Sequence, residues 1–280
     1  MQPIRAILLP GAVLPAPLAY SALIEALGPG VEAVAKDLEL YRGDAPPADW
    51  TLDTEVAGVL READARGWDT FHLAGYSGGG SVALAVAAKH PERLQSLALL
   101  EPAWAGNWDW SPAYAEHRKG YRHLESLPPE QFLPAFMRLG VRPDVVLPPP
   151  EPGPPPPWMA KRPAGIRAFL RNFDNYDLDR SRLAAFSHPV FFALGGLSHP
   201  DDYGDTAARL ARVFFPDFHL EVFPGATTST RRTASSRSGS PTGSGGTGNW
   251  PRRKPVDGTW PRNPGPGKSA PQPACQPPGI

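Results

Sequence analysis

Cysteine is almost absent from the chain: Cys275 stands alone in 280 residues, which excludes an intramolecular disulfide and any zinc site built on cysteine pairs. No apolar run approaches the ~18 residues of a transmembrane helix. The opening stretch, Met1 to Ala12, has neither the apolar length nor the cleavage pattern of a signal peptide, so the expected location is the cytoplasm. Net charge is missing too. The 28 Lys and Arg balance 28 Asp and Glu, leaving no overall field to draw nucleic acid or an anionic membrane. The expected partner is a small-molecule substrate, with no nucleic acid and no membrane; nothing in the pattern speaks to oligomeric state.

The charge balance conceals an asymmetry. From Ala226 onward there are eight Lys or Arg and one acidic residue, Asp257, so residues 1–225 carry a net charge of about −7. The same 55-residue tail has ten prolines, many Gly and Ser, and no Leu, Phe, Met or Tyr. Such a composition buries too little surface to offset chain entropy, and 226–280 is expected to be disordered. As an interaction arm it would offer Arg231, Arg232, Arg252, Arg253 and Lys254 to acidic partners, with salt-sensitive affinity.

What is present before Ala226 is an alternation of strands and helices. Ile4 to Leu9 is an apolar run closed by Pro10-Gly11, and Val31 to Val34, Thr70 to Ala74, Leu97 to Leu100, Val190 to Leu194 and His219 to Phe223 read as further strands. Helical spacing occurs over Leu18–Leu27, Asp53–Ala65, Val82–Lys89 and Thr206–Val213. That order predicts an α/β fold, a mostly parallel sheet with helices on both faces, over 1–101 and 187–225. Between them, 102–186 holds helix candidates at Tyr114–Leu124, Pro129–Leu139 and Ala164–Phe173 and a proline run from Pro148 to Pro157. It reads as a helical cap inserted over one edge of the sheet.

The turn Gly75-Tyr76-Ser77-Gly78-Gly79 fits G-x-S-x-G and sits between an apolar strand and a small-residue helix. A nucleophile elbow holds its serine in a strained turn, so the positions two before and two after must be nearly side-chain-free. Ser77 would then project at a helix amino terminus, where amides favour developing negative charge. A phosphate-binding turn is the bland alternative, but neither a P-loop lysine nor a G-x-G-x-x-G spacing is present.

The block FHLAGYSGGGSVALAVAAKHPERLQSLALLEPAW, Phe71 to Trp104, resembles the elbow, helix and following strand of the α/β-hydrolase superfamily, and ILLPGA and PVFFALGG resemble its other strands. The resemblance implies a sheet of six to eight strands with a helical cap, and hydrolysis of a small or medium apolar ester through a serine nucleophile, without a bound cofactor or metal. It assigns Ser77 as nucleophile and the amides of Gly78 and Ala12 as an oxyanion hole, with Val13 a near alternative to Ala12. Pro10-Gly11 stands where the family often has His-Gly. The acid is expected at Glu101, with Asp201 and Asp202 as alternatives. Tyr76, Trp104 and Trp108 are expected around the substrate.

The resemblance also requires a histidine just after Gly225, and none is there: the last of the seven histidines is His219. His199 could stand in only if its ring came within ~3 Å of the serine oxygen. Activity should be impaired, and a non-catalytic relative that binds a small ligand is the contrasting reading. The abrupt change at Ala226 reads as a shift of reading frame. Taking the third base of each codon of Ala226–Ala234 with the first two of the next permits HHFDPPHR, which puts histidines at the required place. The same operation on Ser236–Gly248 permits PERFADRLRR, an amphipathic segment suited to a closing helix.

Overall fold

Strands of a parallel sheet covered on both faces read as apolar runs; six strands pair here, and the two at the edges carry charged residues, Glu32 and Glu221, among their apolar ones. The structure, a computed structural model, describes residues 3–149, 153–214 and 217–227. The expectations for 228–280, and for 150–152 of the proline run, lie outside the described residues. β1 (Ile4–Leu9), β2 (Val31–Ala35), β3 (Phe71–Tyr76), β4 (Leu94–Leu100), β5 (Val190–Gly195) and β6 (Phe218–Phe223) form a sheet of order β2-β1-β3-β4-β5-β6, with every pairing parallel. The α/β-hydrolase architecture expected from the sequence is therefore present.

The helices are α1 (Ala16–Leu27), α2 (Leu52–Ala65), α3 (Gly78–Lys89), α4 (Pro112–His123), α5 (Pro129–Leu139), α6 (Arg162–Asn175), α7 (Arg180–Ala184) and α8 (Asp205–Val213). Local chemistry starts several of them. Thr51 and Thr54 exchange hydrogen bonds in a capping box before α2, and Ser111 accepts from the Tyr114 amide before α4. Helix α3 is buried on every side from Gly78 to Ala88, as an all-apolar helix must be. It begins four residues before the expected Val82, because three glycines carry little helix propensity and packing against β1 and β4 decides the matter.

Register aligns the carboxyl ends of the central strands. Leu9 pairs with Gly75, Tyr76 with Leu100 and Leu100 with Ala193. Ser77, Glu101 and Gly195, each one or two residues beyond those pairs, consequently emerge along one edge. Helices α4 to α7 lie in the segment between β4 and β5, and α5 and α6 contact one another.

Candidate active site

Ser77 has φ 51° and ψ −118°, a region that costs a non-glycine residue on the order of 1–3 kcal/mol. Its surroundings impose that turn. A Cβ on Gly75 would stand 2.3 Å from the Gly79 carbonyl oxygen, and one on Gly79 would stand 2.5 Å from the carbonyl oxygens of both Leu9 and Pro10. The two flanking glycines expected from the sequence are thus required by close backbone approach. The Ser77 amide donates to Leu100 O at 3.1 Å and the Gly79 amide to Pro10 O at 3.1 Å, fastening the turn to β4 and to the loop after β1.

Ser77 is buried and faces a cavity of about 20 Å³, roughly room for one water. Ala12 and Gly78 line it from the sheet side, and among the described residues neither backbone amide donates a hydrogen bond. The opposite wall comes from distant helices: Arg118 and Tyr121 on α4, Phe136 on α5, and Ile166, Phe169, Leu170 and Phe173 on α6, joined by Tyr203. Phe169 closes tightly over the turn, with its ring 3.0 Å from where a Cβ on Gly78 would lie. Burial pushes the Tyr121 and Tyr203 phenols well above their ordinary value, so both stay protonated. A larger cavity, about 350 Å³, is lined by Tyr41, Arg42, Trp158 and Arg162 among others and shares no residue with the Ser77 cavity.

Glu101 also has a positive φ, 48°, is fully buried, and accepts the Gly195 amide at 2.7 Å through Oε1. The chain leaving β6 returns to the same point. Ala226 O accepts the Leu197 amide at 3.0 Å, and a Cβ on Gly195 would lie 2.6 Å from Ala226 O and 3.0 Å from Glu101 Oε1. Thr227 is buried. The residues following Gly225 therefore pass beside the Glu101 carboxylate.

Asp202 is equally buried but turned elsewhere: it accepts the Tyr121 hydroxyl at 2.6 Å, with His117 Nε2 at 3.6 Å. Asp201 is exposed. His199 stacks on His117 with ring centroids 4.0 Å apart, and its amide donates to Gly140 O. It is not among the side chains lining the Ser77 cavity.

Tyr76, Trp104 and Trp108 also lie outside that lining. Trp104 is fully buried, stacks on Phe173 at 5.1 Å, and donates its indole N–H to Asn107. Trp108 packs near the Arg209 guanidinium, and Tyr76 fills the space beside Gly11. These rings join helices to sheet, while the aromatics at the cavity come mainly from α5 and α6. Among the described residues no group of three or more His, Cys, Asp or Glu is placed to hold a metal ion, and no helix is long and apolar enough to cross a membrane.

The parallel sheet with its helices has counterparts among known proteins. The family model described as "alpha/beta hydrolase fold" matches residues 41–227. The chain belongs to the α/β-hydrolase family. It is 37% identical to the lipase LipV of Mycobacterium tuberculosis over 78 residues, which span 28% of this chain and 30% of that lipase. The match thus covers less than a third of the curated relative's length.

Solved α/β hydrolases share the fold over most of the chain. A hydrolase from Pseudomonas aeruginosa is 20% identical with a TM-score of 0.60, over 84% of this chain and 86% of its own. A thermophilic esterase from Thermogutta terrifontis is 21% identical at TM-score 0.57 with the same coverage, and an enol-lactonase from Burkholderia xenovorans is 16% identical at 0.54, covering 84% and 88%. At these identities the likeness is one of fold.

Proposed function

We propose that the chain is built as a serine hydrolase of carboxylic esters, with the helices between β4 and β5 as its cap. The observation that carries this is the strained Ser77 turn at the amino terminus of α3, facing a cavity with two uncommitted amides. Esterase, lipase and lactonase names among the relatives are consistent with it. In the reaction Ser77 Oγ bonds to the ester carbonyl carbon and its proton passes to a base. The carbonyl oxygen takes up the negative charge before the Gly78 and Ala12 amides. Collapse expels the alcohol, which takes back the proton, and water then cleaves the acyl-serine by the same route. Glu101, at the edge that Ala226 and Thr227 cross, is the orienting carboxylate for a base at that place; Asp202 is occupied by Tyr121.

The base itself is the missing part, since no histidine follows His219. The chain as given should therefore acylate slowly at Ser77. Prolonged incubation with a neutral alkyl fluorophosphonate, read by peptide mass spectrometry, should give a single adduct at Ser77 that disappears in Ser77→Ala. A folded protein with no adduct, or an adduct at another serine, would overturn the assignment. The lack of that histidine favours one second reading, a non-catalytic relative that binds a small ligand, and the same absence of adduct would point to it.

A further inference from the structure

One charged side chain in the cavity has no work in the scheme above. Arg118 is 3% exposed, yet it donates no hydrogen bond among the described residues, and its Nε is buried without a partner. Its nearest counter-ion is the half-exposed Asp174, at 3.7 Å from Nη2, too long for a hydrogen bond. Tyr121, whose ring centre lies 5.4 Å from the guanidinium carbon, directs its hydroxyl to Asp202, so that buried carboxylate is engaged elsewhere. A buried guanidinium with unmet donors carries a large desolvation penalty. Here it faces the cavity shared with Ser77, Gly78 and Ala12.

We infer that Arg118 receives a carboxylate on the substrate, so that the ester cleaved at Ser77 is a half-ester of a short dicarboxylic acid. The inference rests on the serine hydrolase reading and replaces the apolar ester with an anionic one. The planar fork of arginine matches a carboxylate through two parallel hydrogen bonds. Protonated Tyr203 and the aromatic wall of α5 and α6 exclude water around that pair, which strengthens it. The small cavity favours a short acid.

Calorimetric titration of the full chain with monomethyl glutarate and with dimethyl glutarate tests this without requiring turnover. The anion should bind at least tenfold more tightly than the diester. Arg118→Met should remove that preference, while Arg118→Lys, which keeps the charge on a flexible stem, should retain part of it. Equal affinities, a preference that survives Arg118→Met, or no measurable binding of the anion at millimolar concentration would overturn the inference. If Arg118→Met fails to fold, by circular dichroism, the ranking of wild type above Arg118→Lys decides. Fluorophosphonate labelling of Ser77 without an anion preference sinks this inference alone; an anion preference without labelling sinks the serine reading, and with it the cleaved half-ester, and keeps only a carboxylate site at Arg118.

Discussion

At the scale of single residues, Ser77 occupies backbone space that suits glycine. Removing the hydroxyl in two ways separates strain from chemistry. Ser77→Ala and Ser77→Gly both lose the nucleophile, but only glycine relaxes at φ 51°. Relief of on the order of 1–3 kcal/mol, offset by glycine's greater freedom in the unfolded chain, should leave Ser77→Gly more stable than Ser77→Ala by about 1 kcal/mol. Urea unfolding of the two variants checks this; equal midpoints would mean that the turn stores no strain. This residue was legible in the sequence because the elbow is a local device: glycines four residues apart and a strand-to-helix switch state its steric needs. Arg118 was not legible. It lies 41 positions downstream on a polar helix, and only the packing of α4 against α5 and the loop after β5 turns it inward.

Among elements, the junction of α4, the end of α5 and the loop after β5 is held by the His117–His199 stack and the Asp202–Tyr121 hydrogen bond. Burial and the neighbouring His117 hold His199 below the ordinary histidine value, against opposing contributions from Asp201 and Asp202. A histidine with a depressed folded pKa binds fewer protons folded than unfolded, so stability rises with pH. Its contribution is fully present above the unfolded value of about 6.5 and is lost as pH falls through the folded value. Melting temperature should therefore drop between about pH 7 and pH 5, and drop less in His199→Gln; parallel curves would contradict the stacking account. The same junction shows what periodicity leaves out. All six strands were legible, although β4 starts at Leu94 rather than Leu97 because Gln95 and Ser96 interrupt the apolar run and the ladder to β3 shifts register at Gln95. The tryptophans after β4 were expected at the pocket, yet Trp104 instead stacks on Phe173 between helix and sheet. Composition marks a ring as buried and does not say which of two buried faces receives it.

For the whole molecule, Ser77, Glu101 and Ala226 come to one end of the sheet, and no histidine follows His219 in the sequence. A displaced reading frame would supply one: it permits histidines from codon 226, where the described chain passes Glu101. Deleting the histidine of one triad hydrolase costs on the order of 10⁶ in kcat, with ~10³ to 10⁴ over water remaining. The most direct test is the hydrolysis rate of a p-nitrophenyl ester by two chains side by side, the one given and one translated in the displaced frame from codon 226. Ser77-dependent turnover of about 1 to 10³ s⁻¹ is expected in the second chain and at least ~10³-fold less in the first. A second chain that folds yet is inert, or a first chain that turns over at the ordinary rate and loses it in Ser77→Ala, would contradict it.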